Sequence, residues 1–205
     1  MPRGPPAVGA ALAWAAVGAA PAAADGATRD PAPNPTVAQL EMHFLMGMVP
    51  HHRGATMMAE MAAMKAARPE LREMAGRIIE AQTREIAVMT HLLRDWYGME
   101  PPAGTMMPPD MMDMMMMPML RGLMPDMEAR MMALRMKAGA EFDIEFMSAM
   151  TDHHAMAVMM AAPVLIAGHH AYLYTLTEEI VIAQGEEIKQ MDEWLDAWYQ
   201  VGRPL

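Results

Sequence analysis

The sequence predicts an all-α protein: a four-helix bundle built from two duplicated helical hairpins and joined by a methionine-rich linker. Three observations carry that expectation. The stretch Met48-Val49-Pro50-His51-His52 returns as Met150-Thr151-Asp152-His153-His154, at a spacing of 102 residues. The same spacing aligns Phe44 with Phe146, Leu71 with Leu173, Gln82 with Gln184, Glu85 with Glu187, Met89 with Met191, Leu93 with Leu195 and Trp96-Tyr97 with Trp198-Tyr199. Apolar residues recur at helical intervals through both copies, and strand signals hardly occur. Each copy is one supersecondary unit that needs its twin to bury its apolar face.

Taken in order, residues 1–24 read as a secretory signal: Arg3, an apolar run from Val8 to Ala20, and Pro21-Ala22-Ala23-Ala24 before Asp25, with cleavage near Ala24. Residues 25–35 are a proline- and alanine-rich flexible leader. The first hairpin spans 36–98. Thr36 and Gln39 form a capping box, Pro50 should kink the first helix, Pro69 suits a first helical turn, and Gly98 with Pro101-Pro102 ends the second helix. The linker occupies 99–125. The second hairpin spans 126–200, with Asp126 capping a third helix that extends towards Ala167 and bends at Pro163, and a fourth helix from about Tyr172 to Tyr199.

Composition narrows the function. The 205 residues carry a formal net charge of -10, which leaves no basic footprint for nucleic acid. Charged residues interrupt every later apolar stretch, so the mature chain has no membrane span. Export to the periplasm or beyond would permit disulfides, yet the chain has no cysteine and 31 methionines. Its sulfur is all thioether, which suits soft metals.

In each Met-x-x-His-His motif the methionine lies one helical turn before both imidazoles. Met48, His51 and His52, like Met150, His153 and His154, can therefore converge on one ion. Met57, Met58, Met159 and Met160, two turns further on, either extend the ligand set or pack. Thioether plus imidazole favours Cu(I), with silver as its mimic, whereas imidazole alone would also take zinc or Cu(II). Ile78, Gln82, Glu85, Met89, Leu93 and Trp96 form one helical stripe, matched by Ile180, Gln184, Glu187, Met191, Leu195 and Trp198. Its polar members, Gln82, Glu85, Gln184 and Glu187, either orient the histidines from behind or mark a stripe edge wetted by solvent.

The linker holds Met111, Met112, Met114, Met115, Met116 and Met117 among prolines that oppose a regular helix. It reads as a segment that captures Cu(I), with a sticky connection and an oxidant sink as the alternatives. His43, His91, His169 and His170 have no duplicate and read as surface or turn residues, with His169-His170 able to form a peripheral site.

The two His-His motifs, together with the paired Trp-Tyr endings, resemble the domain of unknown function 305 family over roughly Val37 to Tyr199. The resemblance implies a ferritin-like four-helix fold and an exported protein, with some members binding copper through histidine and methionine. Asp152 departs from the proline-led form seen at Pro50. The function expected is therefore an exported, non-enzymatic copper-binding protein of copper homeostasis or resistance, sequestering Cu(I) or transferring it to another copper-handling protein. A metal-dependent oxidoreductase is the second class, although no Glu-x-x-His pair of a di-iron bundle is present. A structural envelope protein with incidental histidines is the third.

Overall fold

The computed structural model describes residues 34–105 and 127–202. The signal, most of the leader and the six linker methionines named above lie outside them. The described residues form α1 (Pro35–Lys65), α2 (Pro69–Tyr97), α3 (Met127–Met136), α4 (Gly139–Ala167) and α5 (Ala171–Tyr199), with no strand. The first pair packs as one hairpin, α4 and α5 as the other, and the hairpins meet through α1 and α4. Together these four make a ferritin-like four-helix bundle.

Local chemistry explains the ends. Asn34, not Thr36, caps α1: its side-chain oxygen accepts the Thr36 and Val37 N–H groups at 2.9 and 3.4 Å, and Pro35 takes the first turn, where a missing N–H does no harm. Pro50 and Pro163 both lie inside continuous helices. The single long third helix expected from Asp126 is instead two, broken at Lys137-Ala138, where Gly139 adopts a φ of 60° that favours glycine. Short α3 is held in place by charge. Arg130 reaches Asp152 at 2.7 Å and Glu145 at 3.3 Å, and Lys65 Nζ donates to the Leu134 and Arg135 carbonyls at the end of α3.

Two apolar clusters fill the bundle. One joins Phe44, Met48, Met89, Leu93 and Trp96 to Met156, Met160, Leu173 and Ile180; the other joins Met58, Leu71 and Ile78 to Phe142, Phe146, Met150, Met191 and Leu195. The 102-residue spacing exchanges much of one with the other, as a pseudo-twofold axis between the hairpins requires. Between the clusters lies a polar layer.

The same axis relates two locks that sequence reading missed. Glu41 of α1, fully buried, accepts the backbone N–H groups of His169 and His170 at 2.7 and 2.9 Å, and pairs with His170 Nδ1 and the Tyr97 hydroxyl. Asp143 of α4, 102 residues on, accepts the N–H groups of Ala67 and Arg68 at 2.8 and 3.1 Å, and the Tyr199 hydroxyl at 2.7 Å. Neither α2 nor α5 has a capping side chain at its own N-cap position. Each is capped by a carboxylate from the opposite hairpin, near the positive end of the helix dipole. His170 is thus no surface residue: it stacks on Trp96 at 3.9 Å, just as Arg68 sits 5.0 Å over Trp198.

Burial alone would raise the Glu41 pKa, but the His170 N–H and imidazole, the His169 N–H and the Tyr97 hydroxyl outweigh it and hold the group below its ordinary value. A depressed carboxylate stabilises above the unfolded pKa of about 4.5 and loses that contribution as pH falls through the lower folded value. Glu41→Ala, which orphans buried donors, is expected to lower unfolding free energy by about 3 kcal/mol in urea titrations at neutral pH. A change below about 0.5 kcal/mol would mean that the lock contributes nothing beyond ordinary surface substitution.

Candidate metal centre

The polar layer is built from about one turn of each of the four long helices. From α1 come His51 and His52, from α2 Gln82 and Glu85, from α4 Thr151, His153 and His154, and from α5 Gln184 and Glu187; all are buried. The Gln/Glu stripe is therefore not wetted by solvent. His52 Nε2 is hydrogen-bonded to Glu85 Oε2 at 2.8 Å. His154 Nε2 lies at the same 2.8 Å from Glu187 Oε2, although less well aligned for a hydrogen bond. Within each hairpin, then, the second histidine is oriented by a carboxylate on the neighbouring helix.

The first histidines face each other across the pseudo-axis. Their ring centroids are 3.7 Å apart with planes tilted by 33°. Both ring nitrogens of His51 and the Nδ1 of His153 are buried without a hydrogen-bond partner, as are Nδ1 of His52 and of His154. Thr151 Oγ1, Gln82 Oε1 and the whole Gln184 amide are also unpartnered. Such a concentration of unsatisfied polar atoms is costly in a protein interior unless water or an ion supplies the missing partners.

Electrostatics agree. Burial first, then the neighbouring His52 and His154 imidazoles, push the His51 pKa well below 6.5. His153 is lowered by burial and then by His51, His154 and His52. Both rings are neutral at neutral pH, the form that ligates a metal.

The methionines divide. Met48, Met58 and Met89 are fully buried, as are Met150 and Met191, and Met160 is nearly so; all six belong to the apolar clusters that close the polar layer from either side. Met57 is half-buried and Met159 is exposed. Among the described residues no group of three or more histidine and acidic side chains is arranged to hold a metal ion.

Both flanks of the linker are fastened at this level. Arg53 donates to the carbonyls of Pro102 and Gly104, and the Thr105 carbonyl lies 3.1 Å from where a Cβ on Gly54 would stand. On the other side, Arg130 is bonded to Asp152, next to His153. Asp152 thereby gains a role that Pro50 could not fill, and the two copies differ for a structural reason.

A family model, Domain of unknown function (DUF305), matches residues 41–200. CopM, solved in silver-bound, Cu(I)-bound and Cu(II)-bound forms, aligns at 34–35% identity with TM-scores of 0.61–0.62, over 78% of this chain and 96–97% of CopM. A DUF305 protein of Streptomyces coelicolor has the same fold at 24% identity, with a TM-score of 0.64 over 76% of this chain and 91% of that one. No curated protein matches the sequence significantly.

The depressed histidines fix a sign for acid stability. As pH falls below 6.5 the unfolded chain takes up protons that His51 and His153 refuse in the fold, so stability declines from there down to their lower folded values. Between pH 7 and 5 the metal-free protein is expected to lose more stability than a His51→Leu/His153→Leu variant, read as the shift in urea midpoint. Parallel curves would show that these rings titrate normally.

Proposed function

We propose, from the premise that the chain belongs to the DUF305 family, that it is an exported copper-binding protein which sequesters Cu(I) or hands it to another copper-handling protein, without catalysing a reaction. The observation that carries this reading is the pair His51 and His153, neutral, buried and face to face, with both ring nitrogens of His51 and the Nδ1 of His153 lacking a hydrogen-bond partner among the described residues. Histidines serving only structure would be hydrogen-bonded, as His170 is to Glu41. Cu(I) accepts neutral nitrogen and thioether ligands in low coordination numbers, which fits a layer bounded by methionines. CopM, at 34% identity over nearly its whole length, holds both copper and silver, and that supports the same cargo here.

In this reading His51 and His153 are ligands, with His52 and His154 beside them. Glu85 accepts the His52 Nε2–H and Glu187 lies 2.8 Å from His154 Nε2, so each carboxylate holds its ring in one orientation and leaves Nδ1 facing away as a donor. The methionine sulfurs around the layer raise its preference for Cu(I) and Ag(I) over zinc. No described helix is long and apolar enough to cross a membrane; export with cleavage near Ala24 is part of this reading. The linker methionines, outside the described residues, are assigned to capture, because their flanks are tied beside the layer.

Two experiments test this. His51→Leu with His153→Leu replaces unpartnered polar rings by apolar side chains and leaves both His–Glu pairs intact, so the fold should persist, by circular dichroism, with stability equal or higher. Cu(I) affinity, by competition with a chromophoric chelator, should fall at least about a hundredfold, or about 2.8 kcal/mol. Unchanged affinity would make these rings structural. Leucine at Met111, Met112, Met114, Met115, Met116 and Met117 should leave that site intact and reduce the equivalents of Cu(I) bound; equal stoichiometry would remove the capture role.

A further inference from the structure

Helix α3 lies along the outer face of α4 and runs antiparallel to it. Lys137, just past the end of α3, meets Glu145 at 2.5 Å, and Arg130, seven residues earlier, reaches Asp152 at 2.7 Å. Lys65 holds the last α3 carbonyls at the end of the bundle where α4 begins. Traced backwards from Met127, the chain is therefore aimed along α4 towards Ala167.

Glu145 and Asp152 belong to a stripe that recurs every seven residues, and its next members are Met159 and Ile166. There the charge stops. Residues 155–167 contain no polar side chain, yet Ala155, Met159, Ala162, Pro163 and Ile166 are exposed, Met159 by 41% and Ile166 by 83%. This is not the ordinary solvent face of the repeat. At the spacing of 102, the first hairpin has Arg53 where α4 has Ala155, Thr56 for Val158, Glu60 for Ala162 and Lys65 for Ala167. A contiguous apolar face in place of a charged one marks a surface that something covers.

Residues 106–126 leave and re-enter the described chain beside that face. The Thr105 carbonyl stands against Gly54, over the seam with His153, and Met127 opens α3 one turn before Arg130 and its bond to Asp152. From Ala155 to Ile166 the face runs about 17 Å at the helical rise. Nine residues reach up to about 30 Å, so residues 118–126 span it with length to spare. They contain Leu120 and Leu123, the only leucines of residues 106–126, together with Met119 and Met124. We propose that the apolar outer face of α4 is the docking surface for residues 118–126 of the same chain, delivered onto it by the Arg130 and Lys137 ion pairs, with Leu120 and Leu123 as anchors. The first hairpin, with Arg53 and Glu60 at the equivalent positions, takes no such segment. Docking here keeps the preceding residues 111–117 beside the bundle, and it is independent of the copper reading.

The mature protein tests this without any substitution: an Ile166 methyl should show nuclear Overhauser contacts to a Leu120 or Leu123 methyl of the same chain. The absence of cysteine permits a second, independent measurement. With Leu123→Cys and Met159→Cys together, a disulfide should close within one chain at least about ten times faster than with Leu123→Cys and Met57→Cys, which places the second thiol at the counterpart position of the first hairpin. An Ile166 side chain without contact to residues 118–126 overturns the proposal, as do equal closure rates. Contacts of Ile166 found only between differently labelled copies would give the face to a second copy of the chain and overturn it as well.

Discussion

The structure depends on one unfavourable arrangement: four buried imidazoles and two buried amides placed at mid-height in an apolar bundle. A hydrophobic substitute would avoid burying polar atoms without partners, each of which costs about 1–3 kcal/mol. The protein offsets part of that burden through the His52–Glu85 and His154–Glu187 contacts at 2.8 Å and leaves the rest unsatisfied. The apolar clusters above and below supply the compensating burial. Since the layer weakens the fold at its centre, a use for it outside folding is the economical explanation.

Duplication supplies the geometry. Helices α1 and α4 approach through equivalent faces, so a histidine near the axis meets its own counterpart, and one motif yields a two-imidazole pair. The cross-hairpin caps have the same origin. Glu41 and Asp143 each cap the second helix of the other hairpin, and neither of those helices has its N-terminus capped without the twin hairpin. Assembly of the two halves and assembly of the histidine layer are consequently one event.

Much of this was legible in the chain. The 102-residue register, the four long helices and the Gly98 stop follow from periodicity and spacing alone, whereas the Gln/Glu stripe was equally open to a place behind the histidines or a wetted edge until its burial was known. Other features were hidden because they depend on long-range partners. Glu41 and Asp143 obey the same register, yet an isolated acidic residue on a helix gives no sign that it will cap another helix over a hundred residues away. His170 looked like a turn residue because its partners, Glu41 and Trp96, come from the other hairpin. The break before Gly139 was masked by continuous apolar periodicity, which outweighed the single glycine that needs a positive φ. Thr36 lost the cap to Asn34 because Pro35 fits the first turn so well that the helix begins earlier. The role of Asp152 required α3, whose independent existence the sequence did not reveal.

The central claim is that the layer between α1 and α4 is where soft metal is held. Crystals of the mature protein soaked with one equivalent of Ag(I), with anomalous scattering recorded for silver, address it most directly. The account predicts a leading anomalous peak within bonding distance of a His51 or His153 nitrogen, on the pseudo-axis between the two helices. A fully occupied peak elsewhere, with the two rings still stacked and unliganded, would contradict it.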